Sequence, residues 1–344
     1  MAMPISVAMA TYNGRRFLAE QLQSLTAQTM PPAELVVSDD GSTDDTLAVL
    51  EAFAHTAPFR VRILPPHARF GFADNFLHAA EQCASPIVAF CDQDDVWLPH
   101  KLATAADRLA TDGSVLALHR LMLTDETLRP IGEQHQQIGQ DRSFDELELD
   151  LYPSGWGNTM TFRRELLTLI PRAERPRQPE GIKPLSHDHW VYTLAAALGR
   201  VSHIREPLIL YRQHGANAFG TDITENPFRR AAAHLDTVRS VPLTTYCERA
   251  VFDAHMAGLL ARLAKQTTDT WSAPAARAAT RFAERAERRA RRVRLYEGAT
   301  LRARAATYAE FLRTPIRSTE ERQARRRAMG KDLLLGVTGL GRRF

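Results

Sequence analysis

Three aspartates near position 92 have the residue type and spacing to hold a cation. Asp92, Asp94 and Asp95 directly follow the apolar run Ile87–Cys91, which is typical of a buried parallel strand. Crowded carboxylates raise one another's pKa, and a divalent cation is the usual way to relieve that repulsion. The cluster therefore predicts a metal site beside phosphate groups. The alternative is that Asp94 or Asp95 caps a helix beginning near Pro99.

Two polar turns earlier in the chain also follow apolar strands. Thr11–Gly14 comes after the predicted strand Ile5–Met9, and Ser38–Asp45 follows a second strand that begins at Glu34. Turns favour Asn, Asp, Gly and Ser for backbone reasons, so each turn alone is weak evidence. Because parallel strands end at one sheet edge, the three segments together indicate a nucleotide site there. The sequence contains neither GxGxxG nor GxxxxGK[ST], so the dinucleotide and P-loop signatures are missing.

The elements that must position these side chains alternate strand and helix over the first hundred residues. Helices are predicted over about 16–29, up to 55 and over 75–83, with a further strand over 61–64. This alternation predicts an α/β fold with a mostly parallel sheet and flanking helices. A later strand, Ile204–Tyr211, contains Pro207 and is predicted to lie at a sheet edge.

Composition places the chain among globular proteins with a sizeable core. Its 344 residues are 44% hydrophobic and 24% charged, which suits one large domain plus an appendage, or two domains. The three cysteines form no CxxC pair and predict reduced thiols rather than disulfides. No signal-peptide pattern and no long apolar span is recognisable. A cytoplasmic location, including the inner face of the cell membrane, is the expectation.

The net charge of +4 is unevenly distributed along the chain. Residues 271–344 hold 19 Lys/Arg and 7 Asp/Glu, a net +12, whereas residues 1–270 carry −8. Apolar residues recur at helical spacing among the arginines: Phe282, Ala286, Ala290 and Val293. This pattern predicts an amphipathic cationic helix, which could pack on the acidic part of the chain or attract anionic lipid headgroups. Nucleic acid is disfavoured because no aromatic platform or binding motif accompanies the arginines.

In order and spacing, the three polar segments resemble glycosyltransferase family 2. The resemblance continues through three further segments and covers about residues 4–220: Gly155–Met160, Ser186–Trp190 and Leu208–Asn217. It is greatest to bacterial rhamnosyltransferases that use dTDP-rhamnose. The resemblance implies an inverting, metal-dependent enzyme with a GT-A domain over 1–222. Residues 223–344 lie outside the resemblance, and their Ala/Arg-rich sequence predicts a basic, mostly helical region.

The resemblance also implies roles for residues of the nucleotide site. Ala10, Thr11 and Tyr12 would line the base pocket. Asp40 would accept a hydrogen bond from the pyrimidine N3–H, while Asp39 would either contact the nucleotide or support its turn. In the acidic motif, Asp94 would touch the ribose or the metal, and Asp95 would bind Mg²⁺ or Mn²⁺ on the diphosphate. Asp92, the first residue of the motif, would orient the other two.

The catalytic base implied by the resemblance is Asp188. A positioned carboxylate can deprotonate the acceptor hydroxyl as it attacks the anomeric carbon. The alternative is that Asp188 caps the helix that follows it. Other candidates also have structural alternatives. His214 would bind metal or diphosphate, and Arg212 would pair with phosphate. Trp156 and Trp190 would stack on a sugar or pack in the core. Asn75 would contact the donor or cap a helix.

The predicted reaction is transfer of a sugar, most simply rhamnose, from a nucleoside diphosphate to a surface polysaccharide or lipid-linked glycan. A hexosyltransferase using a UDP-sugar is the nearest alternative. A catalytically silent sugar-nucleotide-binding scaffold is another, although the presence of both Asp95 and Asp188 argues against it. A nucleotidyltransferase would normally bring an early Gly-rich phosphate loop, and the sequence has none.

Overall fold

The computed structural model describes residues 3–134, 138–150, 157–178, 183–215, 243–268, 270–298, 300–313, 329 and 332–338. Backbone contacts divide the chain into two compact units. The first comprises Met1–Arg175 with Leu185–Thr221, and the second comprises Pro176–Pro184 with Asp222–Phe344. The first unit contains the sheet and every described candidate residue of the site, and the second unit is mainly helical.

Ten strands within the described residues form one mixed sheet in the first unit. They are β1 (Ile5–Thr11), β2 (Glu34–Asp39), β3 (Arg60–Ile63), β4 (Ile87–Cys91), β5 (Val96–Trp97), β6 (Leu116–Thr124), β7 (Pro130–Gln134), β8 (Arg142–Phe144), β9 (Met160–Arg163) and β10 (Val201–Arg212). The order is β3-β2-β1-β4-β9-β6-β10-β5, with β7 beside β6 and β8 beside β10. The first four strands pair in parallel, and so do β6 and β10. The antiparallel strand β9 lies between β4 and β6.

Helices flank this sheet, as predicted from the strand–helix alternation. They are α1 (Arg15–Thr26), α2 (Thr46–Thr56), α3 (Phe72–Glu81), α4 (Lys101–Asp112) and α5 (His187–Leu198), with short 3₁₀ turns at Gly157–Thr159, Arg164–Leu167 and Arg172–Glu174. Every residue of β1 and β4 is buried, which explains why both strands are mostly apolar and do not alternate with polar residues. The predicted α/β class with a mostly parallel sheet beside the site is therefore confirmed.

The strand that contains Pro207 is not the last strand of the sheet, so the prediction of an edge strand was wrong. Strand β10 lies between β6 and β5. Its register against β6 shifts between Ile204 and Pro207 and again between Pro207 and Leu210. Proline is tolerated at such an irregularity because the ladder does not require its missing N–H there.

The described residues of the second unit contain three helices, in agreement with the helical region predicted from its Ala/Arg-rich sequence. They are α6 (Leu243–Gln266), α7 (Ser272–Glu297) and α8 (Leu301–Arg313), followed by a π-helical turn at Asp332–Val337. Phe252, Met256 and Leu260 of α6 are buried, and the ring of Phe252 lies 6.4 Å from that of Phe282 on α7. Among the described residues, no helix is long and apolar enough to cross a membrane.

Buried carboxylates pair with several arginines of α7. Asp253 is fully buried and lies 2.6 Å from Arg289 Nη1 and 3.5 Å from Arg285 Nε. Asp332, also buried, accepts hydrogen bonds from Arg292 at 2.8 Å and from the Tyr296 hydroxyl at 2.9 Å. These arginines stabilise the helical unit internally, so they form less of a free cationic face than the sequence pattern predicts.

Candidate active site

The ends of β1 and β2 form the first part of the site. Thr11 and Asp39 are register partners, and the Thr11 hydroxyl donates to Asp39 Oδ2 at 2.8 Å. The Asp40 amide then donates to the Thr11 carbonyl at 2.9 Å. Thr11 is buried, Ala10 is 9% exposed and the Tyr12 side chain is open to solvent. The three residues predicted to line a base pocket thus end one strand at the sheet edge.

Asp39 supports its own turn, which was the alternative considered for it. Its Oδ1 accepts hydrogen bonds from the Gly41 amide at 3.1 Å and the Ser42 amide at 2.8 Å. The Ser42 hydroxyl donates to Oδ2 at 2.6 Å. With both oxygens engaged, the Asp39 carboxylate holds the shape of the turn.

Asp40 ties the site to the loop before α3. Its two carboxylate oxygens accept hydrogen bonds from the Phe70 amide at 2.6 Å and the Gly71 amide at 2.9 Å. Gly71 has a φ of +80°, a conformation that glycine adopts at little cost. Because a carboxylate offers about four acceptor positions, Asp40 retains the capacity to accept a further hydrogen bond from a ligand.

Gln93 joins the β1 turn to the acidic motif. Its Oε1 accepts from the Tyr12 amide at 3.0 Å, and its Nε2 donates to the Tyr12 carbonyl at 3.1 Å. A Cβ at Gly14 would lie 2.1 Å from Gln93 Oε1, so this glycine is needed for the close approach. The Arg69 guanidinium lies 4.1 Å from the centre of the Tyr12 ring. The paired amide therefore connects two segments that are about eighty residues apart in sequence.

The three aspartates of the acidic motif differ in exposure. Asp92 and Asp94 are half-buried, whereas Asp95 is fully buried. Asp95 Oδ1 accepts from the Arg212 amide at 3.2 Å, and Oδ2 accepts from Asn158 Nδ2 at 2.7 Å. Helix α4 begins at Lys101 without a side-chain cap, so neither Asp94 nor Asp95 serves as its cap. The capping alternative is excluded for this helix, and Asp95 is enclosed by protein groups.

The crowded carboxylates perturb one another. Burial raises the pKa of Asp92 to about 8, and the charges of Asp94 and Asp188 add to the shift. Burial, together with Asp92 and Asp94, raises the pKa of Asp95 well above its usual range. The negative charges of Asp94 and Asp188 therefore act on Asp92 together. A bound cation would offset this repulsion.

A cation here would rely on few protein ligands. Within the described residues, no group of three or more His, Cys, Asp or Glu side chains is arranged to hold a metal ion. Mg²⁺ keeps several waters and commonly binds through one or two carboxylates plus substrate phosphates. The half-buried pair Asp92 and Asp94 fits that requirement, whereas the enclosed Asp95 carboxylate does not favour the direct contact predicted for it.

His214 and Arg212 support the acidic motif from β10 and the residues that follow it. His214 Nε2 lies 2.9 Å from Asp94 Oδ2. The Arg212 side chain is 1% exposed; its Nε donates to the Asp94 carbonyl at 2.9 Å and its Nη2 to Glu20 at 2.6 Å. This burial argues against the phosphate contact predicted for Arg212. Both side chains instead fix the position of Asp94.

Asp188 lies in the first turn of α5, after the N-cap residue Ser186. The Ser186 hydroxyl and the His189 amide both donate to Asp188 Oδ1, at 2.5 and 2.8 Å. Trp190 on the same helix is 1% exposed, so core packing, the alternative to sugar stacking, describes it. Asp188 remains half-buried and near Asp92, as a base for an acceptor hydroxyl would have to be.

Two further candidates have different outcomes. Asn75 is 1% exposed, and its Nδ2 donates to the Ser38 carbonyl at 2.9 Å, so it secures the end of β2 rather than reaching outward. It does not cap α3 either, because that helix has no side-chain cap. Trp156 lies outside the described residues.

Two buried histidines, His187 and His203, predict a pH-dependent stability. Burial lowers the pKa of His187 and of His203 to about 4. Between pH 6.5 and 4 the unfolded chain binds more protons than the folded one. The contribution of these histidines to the free energy of unfolding is therefore complete above pH 6.5 and decreases as the pH falls. The free energy of unfolding, measured with urea, should decrease between pH 6.5 and 4.5 in the wild type. We expect this decrease to be about 2 kcal/mol smaller in His203→Gln. His55→Gln, at an exposed position, is the control. The prediction would be contradicted if the free energy of unfolding changed equally with pH in the wild type and in both variants.

Sequence reasoning did not assign Gln93, Lys101 or Asn158, although all three contact the site. Lys101 carried a signal that could have been used. It shares a helical face with Ala105 and Leu109, four and eight positions later, which are both buried. A charged residue on an apolar face indicates a buried partner. Gln93 and Asn158 had no such signal, because their partners are distant in sequence.

Comparison with known proteins agrees with this arrangement. A sequence model of glycosyl transferase family 2 matches residues 6–169. An uncharacterized glycosyltransferase from Nostoc sp. is 31% identical over 226 residues, covering 62% of this chain and 66% of the relative, just under two thirds of its length. The dTDP-rhamnosyl transferase RfbG of Shigella flexneri is 28% identical over 237 residues, covering 67% of this chain and 79% of RfbG.

The fold is also found among solved structures. Residues 1–349 of Staphylococcus aureus TarS align with a TM-score of 0.51 at 19% identity, covering 90% of this chain and 79% of that one. The same TarS segment in complex with UDP-GlcNAc has a TM-score of 0.51 at 18% identity. At these identities the likeness concerns the fold.

Proposed function

Because the chain belongs to glycosyl transferase family 2 and has its GT-A fold, we propose that it transfers a sugar from a nucleoside diphosphate to an acceptor hydroxyl, with inversion at the anomeric carbon. One observation carries this proposal: the short turn Gly157–Thr159 contacts Asp95 of the acidic motif, through the Asn158 Nδ2 hydrogen bond of 2.7 Å, and also contacts His187, the neighbour of Asp188. A base for the acceptor and carboxylates for the donor diphosphate would then act in one small volume. An inverting transfer needs both groups there.

In this proposal the nucleotide binds at the ends of β1 and β2. Tyr12 would offer its exposed ring to the base, and Asp40 would accept from the pyrimidine N3–H with its remaining acceptor capacity. Asp39 would act indirectly by holding the turn. Ala10 and Thr11 would form the floor of the pocket, where small or buried side chains leave room for the base.

The residues present fit a divalent cation, Mg²⁺ or Mn²⁺, bound beside the diphosphate. Asp94 would be its principal protein ligand and Asp92 a second or supporting one, since these carboxylates are half-buried and mutually repelling. When bound, the cation would stabilise the negative charge of the departing nucleoside diphosphate. His214 would keep Asp94 in position, and Asp95 would hold the loop of the acidic motif in place through its buried hydrogen bond with Asn158.

Asp188 would be the general base of the reaction. The Ser186 hydroxyl and the His189 amide hold one of its oxygens, which orients the carboxylate. The carboxylate would accept the proton of the acceptor hydroxyl as that oxygen attacks the anomeric carbon. Attack on the face opposite the leaving diphosphate inverts the anomeric centre.

The donor sugar we propose is rhamnose, carried on dTDP, with a UDP-sugar as the alternative. Support comes from the similarity to a dTDP-rhamnosyl transferase over two thirds of this chain. The acceptor would be a growing surface polysaccharide or a lipid-linked glycan. Contact of the basic region with a membrane surface remains a prediction, weakened by the internal pairing of Arg285, Arg289 and Arg292.

A panel of sugar nucleotides tests this function. With Mn²⁺ or Mg²⁺, we expect dTDP-rhamnose to raise the melting temperature more than UDP- or GDP-sugars, because a ligand that binds only the folded protein stabilises it. We also expect slow release of dTDP that accelerates when acceptor is added. Stabilisation without any nucleotide release, with or without acceptor, would indicate the silent binding scaffold instead. Stronger stabilisation and turnover by a UDP-sugar would replace the proposed donor.

A further inference from the structure

Lys101 is a fully buried lysine close behind the acidic motif, and burial lowers the pKa of its amine to about 7. It begins α4 and has no exposed surface. Its Nζ lies 2.6 Å from His119 Nε2 and donates to the Asn158 carbonyl at 2.9 Å. Nζ also lies 4.5 Å from the centre of the Trp97 ring, a favourable position for a cation. No role assigned so far uses this lysine.

The hydrogen bonds around His119 indicate that Lys101 is the donor of the pair. His119 Nδ1 lies 2.6 Å from the Arg120 carbonyl, which can only accept, so Nδ1 carries the proton. Burial, followed by the charge of Lys101, lowers the pKa of His119 well below its usual range. The histidine is therefore neutral, and its Nε2 accepts from the lysine. Lys101 thus has two acceptors that define its position.

Asn158 connects Lys101 to the acidic motif through two hydrogen bonds. While its carbonyl accepts from Lys101, its side-chain Nδ2 donates to Asp95 Oδ2 at 2.7 Å. Asn158 is the middle residue of the short turn Gly157–Thr159 and is 1% exposed. The turn cannot shift without changing the position of Asp95.

The same turn also contacts the helix that carries the candidate base. A Cβ at Gly157 would lie 2.4 Å from His187 Nε2, so only glycine allows this approach. The His187 ring is stacked on Phe76, 4.2 Å between centres, and is immediately followed by Asp188. One short turn therefore lies between the acidic motif and the first turn of α5.

We propose that Lys101 is a positioning residue that sets the distance between the acidic motif and Asp188 by fixing the turn Gly157–Thr159. This inference rests on the proposed transferase function. Lys101 does not touch the substrate; it acts through Asn158. An apolar residue of similar length would fill the space but leave the Asn158 carbonyl without its donor, so the turn could relax.

The experiment compares Lys101→Met with Lys265→Met, a matched change at an exposed lysine of α6. Turnover by the wild type is measured first. An inactive wild type would contradict the proposed function, whereas a loss of turnover in Lys101→Met alone is due to the change at Lys101. At saturating donor, metal and acceptor, we expect kcat of Lys101→Met to fall about 100-fold. Affinity for the nucleoside without phosphates, measured with thymidine, should change less than about threefold, since the base contacts lie at the ends of β1 and β2. An unchanged kcat in the folded variant would overturn the proposal.

A second variant separates positioning from stability. Lys101→Met combined with His119→Leu removes both polar partners, which restores stability more readily than removing one. We expect the double variant to recover part of the melting temperature but none of kcat, because the Asn158 carbonyl still lacks its donor. Recovery of kcat in step with stability would show a merely structural role and overturn the proposal.

Discussion

Replacing Asp188 by asparagine is expected to lower the rate of sugar transfer by about 10²–10⁴-fold, the usual contribution of a general base. The fold should persist, because both local hydrogen bonds to Asp188 end on Oδ1, an atom that asparagine retains. Nucleotide binding should also persist, since Tyr12 and Asp40 belong to other elements. The expected variant is folded, binds nucleoside diphosphate and transfers almost no sugar.

The measurement is kcat for transfer at saturating donor and acceptor, together with calorimetric titration of the nucleoside diphosphate. Asp107→Asn, at an exposed aspartate of α4, provides a control with the same change of charge. If Asp188→Asn kept kcat within about threefold of the wild type, the base would have to be another group, because a lost general base costs far more. The assignment would also be contradicted if weaker nucleotide binding accounted for the whole decrease in the rate of sugar transfer.

The second large effect is expected at Asp94, where asparagine should raise the metal concentration required for turnover by at least about 100-fold. Removing groups that merely support a metal ligand already costs 10–100-fold in affinity. Asparagine can still accept the hydrogen bond from His214 Nε2, so the surrounding structure should survive. Loss of one charge also relieves the repulsion that acts on Asp92, and melting temperature should not fall.

Asp95→Asn is the contrasting variant. Both oxygens of Asp95 accept hydrogen bonds, from the Arg212 amide and from Asn158, so an amide nitrogen would face a donor. We expect destabilisation of about 1–3 kcal/mol with an unchanged metal requirement in the folded fraction. Titrating Mn²⁺ against turnover and measuring urea unfolding for both variants distinguishes ligand from support. An increased metal requirement in Asp95→Asn alone would restore the assignment first drawn from the motif.

The sheet edge that carries the site was predictable because its strands are buried on both faces. Strand β4 is a continuous apolar run and β1 is mostly apolar. Polar turns follow β1, β2 and β4 directly, and Asp40 and Asp92 mark where β2 and β4 end. Parallel pairing of β2, β1 and β4 then brings these ends together. Local pattern and simple topology were sufficient for this part of the fold.

The individual roles depend on contacts that local pattern does not encode. Arg212 has the charge to pair with a phosphate, yet its guanidinium is buried against Glu20 and the Asp94 carbonyl. Asp94 and Asp95 are adjacent and chemically identical, and only burial distinguishes them. Lys101 illustrates the opposite case, since its partner His119 lies on another element and could not be named from sequence.

Charge counting was similarly incomplete for the helical unit. The arginines of α7 recur around an apolar stripe, and their number suggests an exposed cationic face. Several of them instead reach buried carboxylates on other segments, Asp253 on α6 and Asp332 in the π-helical turn. Net charge measures the excess of basic residues but not how many of them remain available to a partner.

The paired hydrogen bonds between Gln93 and the Tyr12 backbone also have a practical meaning for engineering. A new donor preference would ordinarily be sought by exchanging the loop after β1 with that of another transferase. Here two hydrogen bonds join the loop to Gln93, and Gly14 leaves the space that the glutamine amide occupies. A transplanted loop should therefore bring its own residue at position 93, and combinatorial libraries should vary the two sites together.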